Sequence, residues 1–322
     1  MGSEHLQTVQ TEYGILDLMF SPTKPCVFAV ASSIGSIELF EIRNPGSVSI
    51  EKKRDFSICD SSTLVLHVDW FSEFDVNEKI AMSLSDGRIG ILSFNAQAHS
   101  VLFIQAHTLE AWFVAWNSFE NGQIYSGGDD SCFCVSRVPS ESSQVDDQEQ
   151  RKALNNETSE PLHINAKIHG AGVTSIIPLG QSASGEDFVM TGSYDEHLRV
   201  LRQQKGRVNW HELLQLPLAG GVWRLKILRR PEHDKSKVAA GWKAIVLASC
   251  MHAGPKIIGI TVSEQNEWSA KILAEFAEHG SMNYASDARR DFAADGSTKW
   301  EVVSSSFYDR KLCLWEFSSS DC

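Results

Sequence analysis

One short pattern recurs six times along this chain: a small or acidic residue, two further positions, then a strand in which apolar and polar residues alternate. Its copies are Ile34-Gly-Ser-Ile-Glu-Leu-Phe, Asp86-Gly-Arg-Ile-Gly-Ile-Leu, Asp130-Ser-Cys-Phe-Cys-Val-Ser, Asp195-Glu-His-Leu-Arg-Val-Leu, Ala253-Gly-Pro-Lys-Ile-Ile-Gly and Asp309-Arg-Lys-Leu-Cys-Leu-Trp. A second strand, rich in small residues, precedes each copy, as in Ile124-Tyr-Ser-Gly-Gly, Val189-Met-Thr-Gly-Ser and Val302-Val-Ser-Ser-Ser, so the turn between the two is tight. Upstream again lies a third strand: Gly14-Ile-Leu-Asp-Leu-Met-Phe, Leu66-His-Val-Asp-Trp, Trp112-Phe-Val-Ala-Trp, Val173-Thr-Ser-Ile-Ile, Val222-Trp-Arg-Leu-Lys and Met282-Asn-Tyr-Ala-Ser. In three units a histidine stands just before it, at His107, His169 and His279. Short strands with such turn signals predict an all-β chain built as propeller blades.

These pieces resemble the WD40 repeat, whose blade runs inner strand, middle strand, acidic turn, third strand and outer strand. The turns are spaced more widely than the roughly 40–45 residues of an ideal repeat, which predicts inserted loops. One is explicit: from Pro139 to Pro161 the chain is polar, acidic and nearly free of apolar side chains, the composition of a disordered excursion. Arg229 to Lys243 and Arg289 to Lys299 read as shorter charged excursions in the fifth and sixth units. Six units are visible and a seventh is not, and residues 1–322 read as a single propeller domain.

Composition narrows the partners. With 42% hydrophobic residues, nine Trp and 16 Phe, the chain can fill a core, which excludes wholesale disorder. A formal charge of −12 argues against nucleic acid, whose binding rests on clustered Lys and Arg, and suits a cationic ligand or a basic protein surface. The seven cysteines form no CxxC and no Cys/His spacing for zinc, so they read as reduced thiols, with neither metal nor cofactor expected. The first residues lack a basic and then apolar run, and no apolar stretch approaches the roughly 20 residues of a membrane span. A cytoplasmic protein is expected.

Before any His or Asp is given a chemical role, those of the repeat must be set aside. His107, His169 and His279 precede inner strands and Asp130, Asp195 and Asp309 sit in the middle turns, where a repeat pairs its buried polar groups again and again. There is no G-x-S-x-G elbow, no P-loop and no H-E-x-x-H; His211-Glu-Leu-Leu-Gln supplies only half of the last. Cys132 and Cys134 alternate on one strand and read as core filling. One aligned position stands apart: Trp112, Trp223 and Tyr284 share the same place on three inner strands, where the other units carry Leu16, Leu66 and Thr174. Either these aromatics pack the interior, or they form part of a cage whose π faces attract a quaternary ammonium.

Several stretches resemble the WD-repeat diphthine methyl ester hydrolases of the diphthamide pathway. They are Ala106-His-Thr-Leu-Glu-Ala-Trp112, Tyr125-Ser-Gly-Gly-Asp-Asp130, Thr191-Gly-Ser-Tyr-Asp-Glu-His197, Gly220-Gly-Val-Trp-Arg-Leu-Lys226, Cys250-Met-His252, Glu278-His279 with Tyr284 and Asp287, and Ser306-Phe-Tyr-Asp309. Departures are Tyr284-Ala-Ser-Asp-Ala288, where the family has Tyr-Gly-x-Asp-Trp, and Arg310, where a His often follows. The resemblance implies a seven-bladed fold and a reaction: water cleaves the methyl ester of over-methylated diphthine on elongation factor 2. It makes Trp112, Trp223 and Tyr284 candidates for the trimethylammonium head. His252 becomes the candidate base, with Asp287 and Glu110 as the next choices, and the other use of His252 is to stabilise a turn. The alternative is a non-catalytic scaffold that assembles protein partners.

Overall fold

Strand residues two apart share a face, so units written as alternating apolar runs with tight turns close into small sheets. A computed structural model describes residues 6–44, 48–71, 77–120, 122–138, 162–231, 237–292 and 298–319. Within them every named element is a strand, and no helix is long and apolar enough to cross a membrane. The strands form six antiparallel sheets of the propeller-blade type, each in simple sequential order. Blades one to six cover residues 15–57, 65–105, 111–165, 173–217, 224–275 and 283–319. Five have four strands and blade six has three, Asn283–Phe292, Thr298–Ser306 and Lys311–Ser319.

The seventh blade implied by the resemblance is absent from the described residues, as the six sequence units require. All six middle turns fall where the pattern puts them; Ser32 and Ser36, for example, bracket the first. The 289–299 excursion is corrected. Strand pairing runs through Phe292 and resumes at Thr298, and the charges sit on an exposed sheet face, where Arg289 pairs with Glu301 (2.5 Å) and Lys299 with Glu316 (2.5 Å). The excursion at 139–161 lies outside the described residues.

The chain divides into two compact units, residues 1–164 and 165–322, each holding three blades. Within each unit the core sits between neighbouring blades. Phe56, Val68, Ile80 and Met82 join blades one and two, while Leu198, Val222, Val246 and Ile258 join blades four and five. Burial on both faces explains the small residues of the middle strands, since Gln123–Gly128 and Asp187–Ser193 are enclosed throughout. Cys134 is buried in such a seam and Cys132 packs against it, as core filling requires. Burial pushes the Cys132 thiol up to about 11, with Asp130 adding to the effect.

The repeat histidines divide. In blade three the set is complete: His107 Nε2 lies 2.9 Å from Ser126 Oγ, and Nδ1 lies 3.0 Å from Asp130 Oδ1. In blades four and six, among the described residues, the ring bonds only to the middle strand, His169 to Thr191 (2.9 Å) and His279 to Ser304 (2.8 Å). There the turn acids serve other donors, Asp195 taking Arg199 and the Gly170 N–H, and Asp309 the N–H of Gly280.

Inner strands of successive blades are tied by side chains. Asp17 accepts the Val68 N–H (3.0 Å), Asp69 accepts that of Trp116 (2.7 Å), and Ser175 accepts that of Leu225 (3.1 Å). Burial pushes the Asp69 carboxyl up to about 7, and the Trp116 N–H offsets only part of that. A carboxyl whose folded value is raised stabilises fully below its unfolded value and loses that contribution as pH rises through about 7. Thermal stability should therefore fall between pH 4 and 8, by an amount on the order of a few kcal/mol. Asp69→Asn, which keeps an acceptor for Trp116, should flatten this slope in a melting series; an unchanged slope would dismiss Asp69 as its source.

Candidate functional site

Blade five positions the candidate base. Its middle strand, Lys243–Ser249, turns through residues 250–254 into its third strand, Pro255–Val262. His252 stands exposed at the tip of this turn. The turn is held by Ala253 N–H donating to Cys250 O (2.8 Å) and by Met251 in a left-handed conformation, φ 43°. Gly254, φ 70°, is confined to glycine for a second reason: a Cβ there would run into the carbonyl of Phe276.

The segment before blade five explains the paired glycines. A Cβ on Gly220 would strike the Cys250 carbonyl and lie 2.7 Å from Ala253 Cβ, and one on Gly221 would lie 2.7 Å from Met251 Sδ. Both glycines therefore let Gly220-Gly-Val-Trp lie flush against the His252 turn. Trp223 precedes the inner strand Arg224–Arg229 rather than lying within it, and its N–H donates to Ser249 O (2.8 Å).

Aromatic rings line up beside this turn. Trp223 stacks with Tyr194 at 6.0 Å between centroids and meets Tyr284 edge-on at 5.4 Å. Tyr284 in turn contacts Phe307 at 6.2 Å, and Phe307 contacts Tyr308 at 5.2 Å. Phe307 and Tyr308 are about two-thirds exposed, at 67% and 70%. Burial, and after it Tyr308, raises the Tyr284 hydroxyl above its ordinary value, which keeps it a proton donor. Trp223 already carries a cation: the Arg224 guanidinium lies 4.5 Å from its ring centroid, steadied by the carbonyls of Thr174 (2.9 Å) and Trp223 (3.0 Å).

Asp287 is exposed and forms an ion pair with Lys226, the inner strands of blades five and six bringing the two together. Its charge is thus opposed before any substrate arrives. Trp112 and Glu110 belong to the first unit. There the Trp112 indole donates to Asp129 (2.9 Å), while Glu110 is half-buried and its main-chain carbonyl takes the Asp129 N–H (2.8 Å).

Asn283 and Ser286, which the sequence reading did not single out, hold the site. Asn283 is fully buried, its N–H donates to Met251 O (2.9 Å), and its side-chain amide donates to the carbonyls of Ala285 (3.1 Å) and Ser305 (2.9 Å). Ser286 accepts from Ser249 (3.0 Å) and donates to Asn283 Oδ1 (3.2 Å).

No family model matches the chain. It is similar to proteins named diphthine methyltransferase. That of Schizosaccharomyces pombe is 28% identical over 305 residues, covering 94% of this chain and 78% of the relative. That of Homo sapiens is 27% identical, covering 81% of this chain and 52% of the relative, and a Dictyostelium discoideum homologue is 26% identical over 97% of this chain. The chain thus spans about half the length of the human protein. Among solved structures, a chain of the mitotic checkpoint complex superposes with a TM-score of 0.62 over 98% of this chain at 13% identity, a likeness of fold alone. The name of these relatives speaks of methyl transfer, where the resemblance in the sequence implies ester hydrolysis.

Proposed function

We propose that the protein is a carboxylic-ester hydrolase that removes the methyl group of diphthine methyl ester on translation elongation factor 2, leaving diphthine. One observation carries this reading. Five of the segments that resemble the diphthine methyl ester hydrolases, spread from Thr191 to Asp309, meet at the same strand ends of blades four, five and six.

In the proposed reaction His252 takes a proton from water as it attacks the ester carbonyl, and returns it to the departing methoxide, which leaves as methanol. The Tyr284 hydroxyl, kept protonated by its raised value, is proposed to donate to the developing oxyanion. Tyr284, Phe307 and Trp223 are proposed to offer π faces to the trimethylammonium head. Asp287 is the reserve base within the same unit.

Stoichiometric methanol from purified protein and methyl-esterified elongation factor 2 tests the reading. Methyl transfer to another acceptor would release none. Tight binding without any turnover of the ester would instead support a scaffold.

Trp223→Leu should keep the fold and weaken binding of the modified factor by up to about 2 kcal/mol. The melting temperature must be read alongside, because the ring also packs against Tyr194 and Arg224. A folded variant with undiminished affinity would remove the cage.

A further inference from the structure

At the opposite strand ends of blade five, away from the His252 turn, lies a cavity of about 880 Å³. Arg229 and Arg230 at the end of the inner strand, Lys243, Lys271 and, from blade six, Arg290 all line it, and no described Asp or Glu does. In a chain of net charge −12 this is a local reversal of sign. Part of its floor is apolar, with Ile245 and Leu273.

The two arginines are set by the backbone. The pairing of Arg224–Arg229 with the middle strand slips between Ile227 and Arg229, a bulge of the kind that re-aims a side chain. One guanidinium nitrogen of Arg229, Nη1, is enclosed yet has no hydrogen-bond partner among the described residues. Burial also lowers the Arg230 guanidinium from its ordinary value. Buried donors without partners are costly, so a site that keeps them is built to receive an acceptor.

We propose that this cavity binds a small organic phosphate: at least two phosphate groups gripped by Arg229, Arg230 and Lys271, joined to a ring-bearing body that lies over Leu273 and the edge of Ile245. Guanidinium forks match phosphate oxygens two at a time, which a single carboxylate cannot exploit across five cations. The volume lies within the roughly 300–1,000 Å³ of small-molecule sites. A concave, partly apolar pocket in an acidic protein also differs from the open basic stripe that tracks a nucleic-acid backbone.

Calorimetry on the full chain with ATP as the probe decides it, with AMP, tripolyphosphate and a poly-glutamate peptide as comparators. Expected are one saturable site, ATP at least tenfold tighter than AMP, competition by tripolyphosphate, and affinity that falls with added salt. Arg229→Gln and, separately, the exposed Lys271→Gln should each weaken ATP at least tenfold, while methanol release from the modified factor stays unchanged. The absence of saturable phosphate binding would overturn the proposal. So would equal affinity in both folded variants, or tighter binding of poly-glutamate than of ATP, which would make the pocket a seat for an acidic protein segment.

Discussion

His252→Ala should lower turnover of the methyl ester by roughly 10²- to 10⁴-fold, the range expected on removing a general base, while binding of the modified factor stays nearly intact. Loss of chemistry without loss of affinity is the informative pattern. His252 is exposed and its turn is held by main-chain bonds from Ala253, Gly254 and Asn283, so removing the imidazole leaves the scaffold of the turn in place. Single-turnover methanol release, with affinity measured in parallel, separates the two quantities. A fully active variant would transfer the search to Asp287, which would first have to part from Lys226.

Asp130→Ala should be the most damaging single change to stability, at about 3–5 kcal/mol, because removing one partner of an enclosed pair strands the other. It deprives the fully enclosed His107 side chain of its carboxylate and leaves the N–H groups of Thr108 (2.9 Å) and Cys132 (3.1 Å) without their acceptor. Burial works to raise this carboxyl, but the hydrogen bonds from His107 and Thr108 outweigh it and hold it at about 2. A lowered carboxyl stabilises above its unfolded value and loses that contribution as pH falls toward about 2. Acid unfolding of wild type should thus steepen below pH 4, and Asp130→Ala should lack that limb. Chemical denaturation at pH 7 and pH 3 checks both statements. A cost below about 1 kcal/mol would mean that water replaces the lost acceptor.

Much of the fold could be read from the sequence because period-two alternation and turn residues act locally. The six middle turns and the buried small-residue strands follow from patterns as short as Tyr125-Ser-Gly-Gly. The strands around 289–299 were read as an excursion because their charges break the apolar alternation. What holds them in a sheet is cross-strand pairing such as Arg289 with Glu301, visible only once the register is known.

The candidate site was legible in part. Trp223 and Tyr284 do meet, although Trp223 stands just before its inner strand and Tyr284 on its own. The guanidinium over Trp223, the Lys226–Asp287 pair and the Asn283 clamp on Met251 all depend on how one blade is seated against the next. No window of local sequence encodes that seating. Likewise, nothing in the repeat told the complete His107 set from its abridged counterparts at His169 and His279.

Blade six closes on the strand Lys311–Ser319, which has no outer neighbour among the described residues and exposes Leu312 at 76% and Leu314 at 70%. A free row of N–H and C=O groups beside exposed leucines is a template for any extended segment that approaches it. This strand is therefore an edge at which association is expected despite the net charge. Turbidity should rise with concentration even at low salt, where a charge of −12 would ordinarily keep molecules apart. A lysine in place of Leu314 is the smallest change that would blunt that edge.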